Sequence, residues 1–257
     1  MDEVNPKIVC CLTSYPRRIK NCYRVVKSLL ENTVVPDRIY LTLARPQFKN
    51  DIDDLPPLIR KLVIENSRVF INWVDVDTKI MKKVMPVLQY LDDDDIILPC
   101  DDDILYPPDY IESRLKDMRE FDAPLTGCVV QTGRTLYEKW GIPSSIGHAC
   151  AFKKRHIANI DKFIDQDIIH ANNEAGSYSM VEWLNGYEAH DVSKYGMDWL
   201  RENCTFNETD PSRLNESYLY GDKLLDVFRK RICELTGQDI FDSTSALFSK
   251  GFFDKQW

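Results

Sequence analysis

The stretch Asp92 to Pro108, DDDDIILPCDDDILYPP, constrains this chain more than any other. A short apolar run, Ile96 to Leu98 with Pro99 and Cys100, leads straight into three consecutive carboxylates, Asp101, Asp102 and Asp103, and then into Tyr106-Pro107-Pro108. An apolar run of that length bounded by turn signals reads as a buried strand, so the carboxylates arrive at its C-terminal end. In open α/β sheets ligands collect outside the carboxyl ends of the strands. Hard divalent cations such as Mg²⁺ or Mn²⁺ take carboxylate oxygens, usually one or two together with the phosphates of a ligand. The pattern points to a site for a metal diphosphate. Alternate strand residues share a face, so Asp101 and Asp103 are expected to converge as a D-x-D pair while Asp102 turns elsewhere. Without a cation, three carboxylates at a buried strand end repel one another and raise their own pKa values. Asp92 to Asp95, which precede the apolar run, are expected to form a solvated loop.

The rest of the chain supplies the sheet. Ile8 to Leu12 is a continuous apolar run, the mark of a strand covered on both faces in a parallel sheet. After TSYPRR, residues Cys22, Val25, Val26, Leu29 and Leu30 fall at helical spacing, and Arg38 to Leu43 is the next strand, giving a β-α-β crossover. A short helix is expected around Leu58 to Ile64 and a third strand over Val69 to Val74. A helix capped by Asp77 or Thr78 follows, with Ile80, Val84, Val87, Leu88 and Leu91 on one face. Lys79, Lys82 and Lys83 lie in its first turns, where the helix macrodipole disfavours cations, so the arrangement asks for a bound anion.

Beyond the acidic run, a helix opening near Pro107 and Pro108 is expected to bury Ile111, Leu115 and Met118. Gly127 to Thr132 and Gly147 to Phe152 read as strands around a loop with Tyr137, Trp140 and Pro143, whose rings suit stacking on a sugar face. A helix from Glu174 carries Tyr178, Val181 and Leu184 on one face and stops at Gly186, and Tyr187 to Val192 is strand-like. Leu224, Leu225, Phe228, Ile232 and Leu235 stripe a last helix, with Arg229, Lys230 and Arg231 opposite, before a tail containing Phe248, Phe252, Phe253 and Trp257. The expected fold class is α/β: an open, mostly parallel twisted sheet with flanking helices over residues 1–195. A helical C-terminal extension, residues 196–257, packs on the same domain.

Composition narrows the partners. The formal charge of -8 argues against a nucleic-acid backbone, which needs a basic footprint. Eight cysteines include no C-x-x-C pair, and Cys10, Cys11 and Cys100 sit in apolar runs, as reduced thiols of a cytoplasmic protein would. The chain opens Met-Asp-Glu without a basic segment and apolar core, and no run of about 18 apolar residues occurs, so neither a signal peptide nor a membrane span is expected. The sequons at Asn203, Asn207 and Asn215 are then products of composition.

The order TSYPRR, a helix and IYLTL, then NWVDVDTK, then IILPCDDDILYPPDY resembles the nucleotide-sugar half of a GT-A, Rossmann-like glycosyltransferase. It is nearest to the family 2 type of polysaccharide synthesis, over roughly residues 7 to 190 and most closely up to Tyr110. The resemblance implies a nucleotide-sugar half, 7–110, and an acceptor half, 111–195. It implies a UDP- or GDP-type sugar donor, a glycan or lipid-linked acceptor hydroxyl, and an inverting transfer that depends on Mn²⁺ or Mg²⁺. Thr13, Ser14, Pro16 and Arg18 would surround the base and diphosphate, and Asp75 or Asp77 would contact the nucleoside. Lys79 would partner the diphosphate or an Asp, and Asp101 and Asp102 would touch the nucleotide sugar. Asp103 with Asp101 would hold the metal, and a late histidine, His190, is a further ligand candidate. Glu174 would be the base; Ala175 stands where a second acid is usual, so Asp165, Asp167 and Glu182 are alternatives.

Two other classes share part of this pattern. A sugar-phosphate nucleotidyltransferase needs a glycine-rich phosphate loop after the first strand, and TSYPRR has no glycine. A non-catalytic carbohydrate- or Ca²⁺-binding module would use the acidic strand end as a calcium site. The last helix and its tail suit either packing back on the sheet or a peripheral membrane contact.

Overall fold

The computed structural model describes residues 5–127, 149–187, 189–206 and 222–237. The loop with Tyr137, Trp140 and Pro143, most of its two flanking strands, the sequons at Asn207 and Asn215 and the aromatic tail lie outside these residues. The strands are β1 (Ile8–Thr13), β2 (Arg38–Ala44), β3 (Val69–Val74), β4 (Ile96–Cys100), β5 (Leu125–Thr126), β6 (Phe152–Lys153) and β7 (His190–Asp191). Five form one sheet in the order β3-β2-β1-β4-β6, parallel except for β6, which runs antiparallel to β4. The short strands β5 and β7 pair in parallel, and Leu125 of β5 is bridged antiparallel to Ala151, next to β6.

The continuous apolar runs follow from where β1 and β4 lie: both are central, so both of their faces are buried. Val9, Cys11, Tyr40 and Ile97 point to one side, and Cys10, Leu12, Ile39, Leu41, Leu98 and Cys100 to the other. The second side is covered by α1 (Cys22–Leu30), α2 (Pro57–Glu65), α3 (Tyr110–Phe121) and α7 (Met197–Cys204). The first is covered by α4 (Ile160–Phe163), α5 (Gln166–Ala171), α6 (Glu174–Leu184) and α8 (Asp222–Thr236), together with the segment after β3. Leu224, Phe228 and Ile232 of α8 are fully buried in that cluster. On the basic face of α8 the exposed Lys230 pairs with Asp167 at 2.7 Å, and the partly buried Arg231 donates from Nε to the Phe163 carbonyl at 3.1 Å. The described cysteines are free thiols, and among the described residues no helix is long and apolar enough to cross a membrane.

Three local expectations need correction. The segment after β3 is no α-helix but two 3-10 stretches, Lys79–Lys83 and Met85–Tyr90. Pro86 has no N–H to give to a carbonyl one turn back, and its ring clashes with an α-helical path. The macrodipole argument for the three lysines falls with the helix. The prolines at 107 and 108 precede α3 rather than open it. Asp95 is not solvated: it is buried and accepts from the backbone N of Lys7 at 2.7 Å and of Asp92 at 3.0 Å, so the turn before β4 is fastened to the residue before β1.

The chain past β7 is tied in by a buried arginine. Arg114 of α3 is fully enclosed, with its guanidinium 4.6 Å from the Tyr110 ring centroid. It donates to the carbonyls of Lys194 at 2.8 Å and Tyr195 at 2.7 Å. Asp117, 3.8 Å from it, accepts from Ser193 N and Oγ. Truncating one member of such a buried network leaves charge and carbonyls without partners. Arg114→Met is expected to lower unfolding free energy by about 3 kcal/mol in urea titration; a loss under about 1 kcal/mol would mean water reaches those carbonyls.

Candidate functional site

The site is built where β1 and β4, neighbours in the sheet, both end. Their parallel register sets Leu12 beside Cys100, so the residues that follow, Thr13-Ser14 and Asp101-Asp102-Asp103, leave the sheet side by side. Thr13 stays with the sheet, its hydroxyl donating to the Thr42 carbonyl at 2.9 Å. Ser14 donates to Asp102 Oδ2 at 2.5 Å across 88 residues of sequence. Tyr15 to Arg18 forms a turn closed by Arg18 N donating to the Tyr15 carbonyl at 2.9 Å, with Pro16 exposed on it. The turn returns the Arg18 guanidinium to the acidic loop, where Nη2 contacts Asp102 Oδ1 and lies 2.8 Å from Asp103 Oδ2.

The three carboxylates divide differently from a simple alternation. Asp102 is buried, with one oxygen on Ser14 and the other on Arg18. Burial pushes its carboxyl up to about 6, although Arg18 and Ser14 pull the other way. Asp103 shares Arg18, and Asp101 turns to a different cation, Lys83, whose Nζ lies 2.7 Å from Asp101 Oδ1. The loop is held from behind by Tyr106: its hydroxyl accepts from Asp101 N at 2.9 Å, and its own N donates to Ser28 Oγ of α1 at 3.1 Å. The end of α7 and the chain just after it brace the loop, with Leu105 N donating to the Cys204 carbonyl at 2.9 Å and Phe206 N to the Asp103 carbonyl at 3.0 Å.

Lys83 also reaches Glu174. Its Nζ contacts Glu174 Oε1 as well as Asp101, and lysine and glutamate are only 1% and 6% exposed. Burial alone would push the Lys83 ammonium down; the two carboxylates outweigh it and hold it well above the ordinary lysine value. Glu174 is the first residue of α6, whose N-cap Asn173 accepts from Gly176 N at 2.9 Å. A cluster of Ser14, Arg18, Lys83, Asp101, Asp102, Asp103 and Glu174 results.

Beside it lies a second group after β3. Asp77 accepts from Lys82 Nζ at 2.7 Å, Gln47 Nε2 at 2.7 Å and Lys79 N at 3.0 Å. Lys82 is the lysine that pairs with Asp77, whereas Lys79 sits half-buried in a left-handed turn at φ 54. Asp75 is exposed and lies 3.2 Å from Arg45 Nε.

The other candidates go elsewhere. Asp165 caps α5 by accepting from Ile168 N at 2.9 Å, and Asp167 is the exposed partner of Lys230. Glu182 is two turns along α6 from Glu174, buried with neither oxygen hydrogen-bonded, and burial pushes its carboxyl well above the usual range. His190 is exposed on β7 and stacks on Phe121 with ring centroids 4.6 Å apart.

Among the described residues no group of three or more His, Cys, Asp or Glu is arranged to hold an ion unaided. A Mg²⁺ or Mn²⁺ ion asks for less, since a ligand's phosphates complete its shell. Asp102 is buried, its two oxygens on Ser14 and Arg18. Asp103 and Asp101 keep 33% and 29% of their side chains exposed. In the cluster four carboxylates face two cations, Arg18 and Lys83, a formal deficit that one divalent ion would cancel. The donor set fits such an ion.

No protein-family model and no curated protein sequence matches the chain. Solved structures do. The chain is similar to TarS of S. aureus, a GT-A-type glycosyltransferase. Against TarS 1-349 in complex with UDP-GlcNAc the TM-score is 0.59 at 11% identity, covering 91% of this chain and 67% of that one. Against the complex with UDP it is 0.56 at 11% identity, covering 88% and 65%. Against a further crystal structure of TarS 1-349 it is 0.52 at 11% identity, covering 74% and 59%. The chain thus spans about three fifths to two thirds of the TarS chains it matches. Likeness at this identity speaks to fold alone: the chain has a GT-A-like α/β fold.

A non-glycine residue in the left-handed region carries a backbone cost that glycine avoids. Lys79→Gly is therefore expected to raise unfolding free energy by about 0.5 kcal/mol in chemical denaturation. A loss of stability instead would mean that the Lys79 side chain makes contacts worth more than the turn costs.

Proposed function

We propose that the chain is a glycosyltransferase that moves a sugar from a uridine diphosphate sugar to a hydroxyl of a glycan or lipid-linked acceptor. The observation that carries this reading is the cluster at the ends of β1 and β4, where exposed carboxylates and cations stand together in a fold shared with TarS solved with UDP and UDP-GlcNAc. A diphosphate leaving group needs positive charge, and Arg18 is the cation of the cluster with the more exposed side chain. Asp103, with Asp101, would hold a divalent ion, which when bound supplies Lewis-acid stabilisation of the charge on the departing diphosphate.

Transfer requires the acceptor oxygen to attack the anomeric carbon while the bond from that carbon to the diphosphate oxygen breaks. The bonding pair leaves with the nucleoside diphosphate, and the acceptor proton goes to a base. Glu174 is the base in this reading, because among Glu174, Asp165, Asp167 and Glu182 it is the carboxylate that shares a partner with the acidic loop. A single displacement of this kind inverts the anomeric configuration, through a transition state with oxocarbenium character.

A ligand that binds only the folded state stabilises it by mass action, by about 2.7 kcal/mol at a hundredfold excess over Kd. UDP with Mn²⁺ should raise the unfolding temperature by several degrees more than UDP alone, and Asp103→Asn should remove the Mn²⁺-dependent part. No response to UDP under either condition would sink the proposal. Since a base acts on the acceptor and not on the donor, Glu174→Gln should bind UDP within about threefold of wild type while transfer falls by about 10² to 10⁴. Retention of most of the transfer rate would move the base elsewhere.

A further inference from the structure

Lys83 is too deeply buried to touch a substrate, yet it is the side chain on which two parts of the site meet. Its ammonium lies 2.7 Å from Asp101 Oδ1 and in contact with Glu174 Oε1, 91 residues further along the chain. Asp101 belongs to the loop that would face the diphosphate, and Glu174 opens the helix α6 on the other side of the ammonium. The ammonium takes both carboxylates as partners, Glu174 buried and Asp101 with 29% of its side chain exposed. Lys82, the residue preceding Lys83, is committed to Asp77 and to the Lys79 carbonyl at 3.1 Å, so the 3-10 turn sends adjacent lysines to two different carboxylate groups.

We propose that Lys83 is a positioning residue for sugar transfer: its ammonium fixes the Glu174 carboxylate against the acidic loop, so that base and leaving group keep one spacing. This rests on the reading of the chain as a glycosyltransferase with Glu174 as base. Lys83 then acts on the rate through Glu174 and contributes little to holding the donor, which falls to Arg18, Asp103 and the metal.

The test compares wild type, Lys83→Met, Glu174→Gln and the double variant, each with Mn²⁺. UDP affinity is measured by calorimetry, and kcat and donor KM by release of UDP from whichever UDP-sugar the wild type transfers. Lys83→Met is expected to keep UDP affinity and donor KM within about threefold while kcat falls about a hundredfold. Groups that act as one unit are not additive, so the double variant should match Glu174→Gln in kcat to within about threefold. A further tenfold loss in the double variant overturns the proposal, because Lys83 then acts by another route. Should Lys83→Met fail to fold, having left buried Glu174 without its cation, the comparison of the double variant with Glu174→Gln alone decides. Near wild-type kcat in a folded Lys83→Met protein removes the role of Lys83 and leaves the glycosyltransferase reading standing. A wild type that neither binds UDP nor releases it from any UDP-sugar removes both.

Discussion

An ammonium leaves water only where carboxylates replace the solvent it gives up. Lys83 meets that condition by drawing Asp101 and Glu174 to itself from opposite sides. The contact joins the loop after β4, the turn after β3 and the start of α6; the sheet already relates the first two, and the lysine ties the start of α6 to both. Each carboxylate is in turn committed to the lysine, so the arrangement holds only if all three segments are in place. The cluster around Arg18 follows from it. With Asp101 drawn toward Lys83, Asp102 and Asp103 are left to share the guanidinium, and Ser14 takes the remaining oxygen of Asp102.

Much of the architecture was legible in the residues because it depends on patterns local to each element. The apolar runs at 8–12 and 96–100 mark strands buried on both faces, and both are interior strands of the five-stranded sheet. The stripe from Cys22 to Leu29 is the buried face of α1. What the residues could not disclose is pairing across long separations. Asp95 looked like one of four solvated acids, because its partner Lys7 is 88 residues away. Asp101 and Asp103 fit a D-x-D alternation on paper, but a loop that has left the sheet no longer obeys strand geometry, and cations at two different places split them.

Lys83 is the instructive omission. The resemblance points to Lys79 among three lysines, and a helical reading of the segment groups all three in its first turns. Yet Lys83 stands three residues after Ile80 and four before Val87, on the apolar stripe, and a lysine on an apolar stripe must find a buried partner. That signal was present. Pro86, which stops the α-helix, was present too, and together they separate the lysine that is buried from the one that is strained.

The parallel pairing of β1 with β4 has a kinetic side. Antiparallel hairpins can close early from neighbouring residues, but this register waits until about a third of the chain has been looped out between its partners, and pairings of that kind raise contact order and slow folding. Ser14 and Asp102, which follow the two strands directly, meet only when that register closes. Partly folded forms of the chain can carry α1 or α2 without any trace of the site. Binding competence should therefore appear in refolding as a late, single event, together with the last burial of the central strands and not before it.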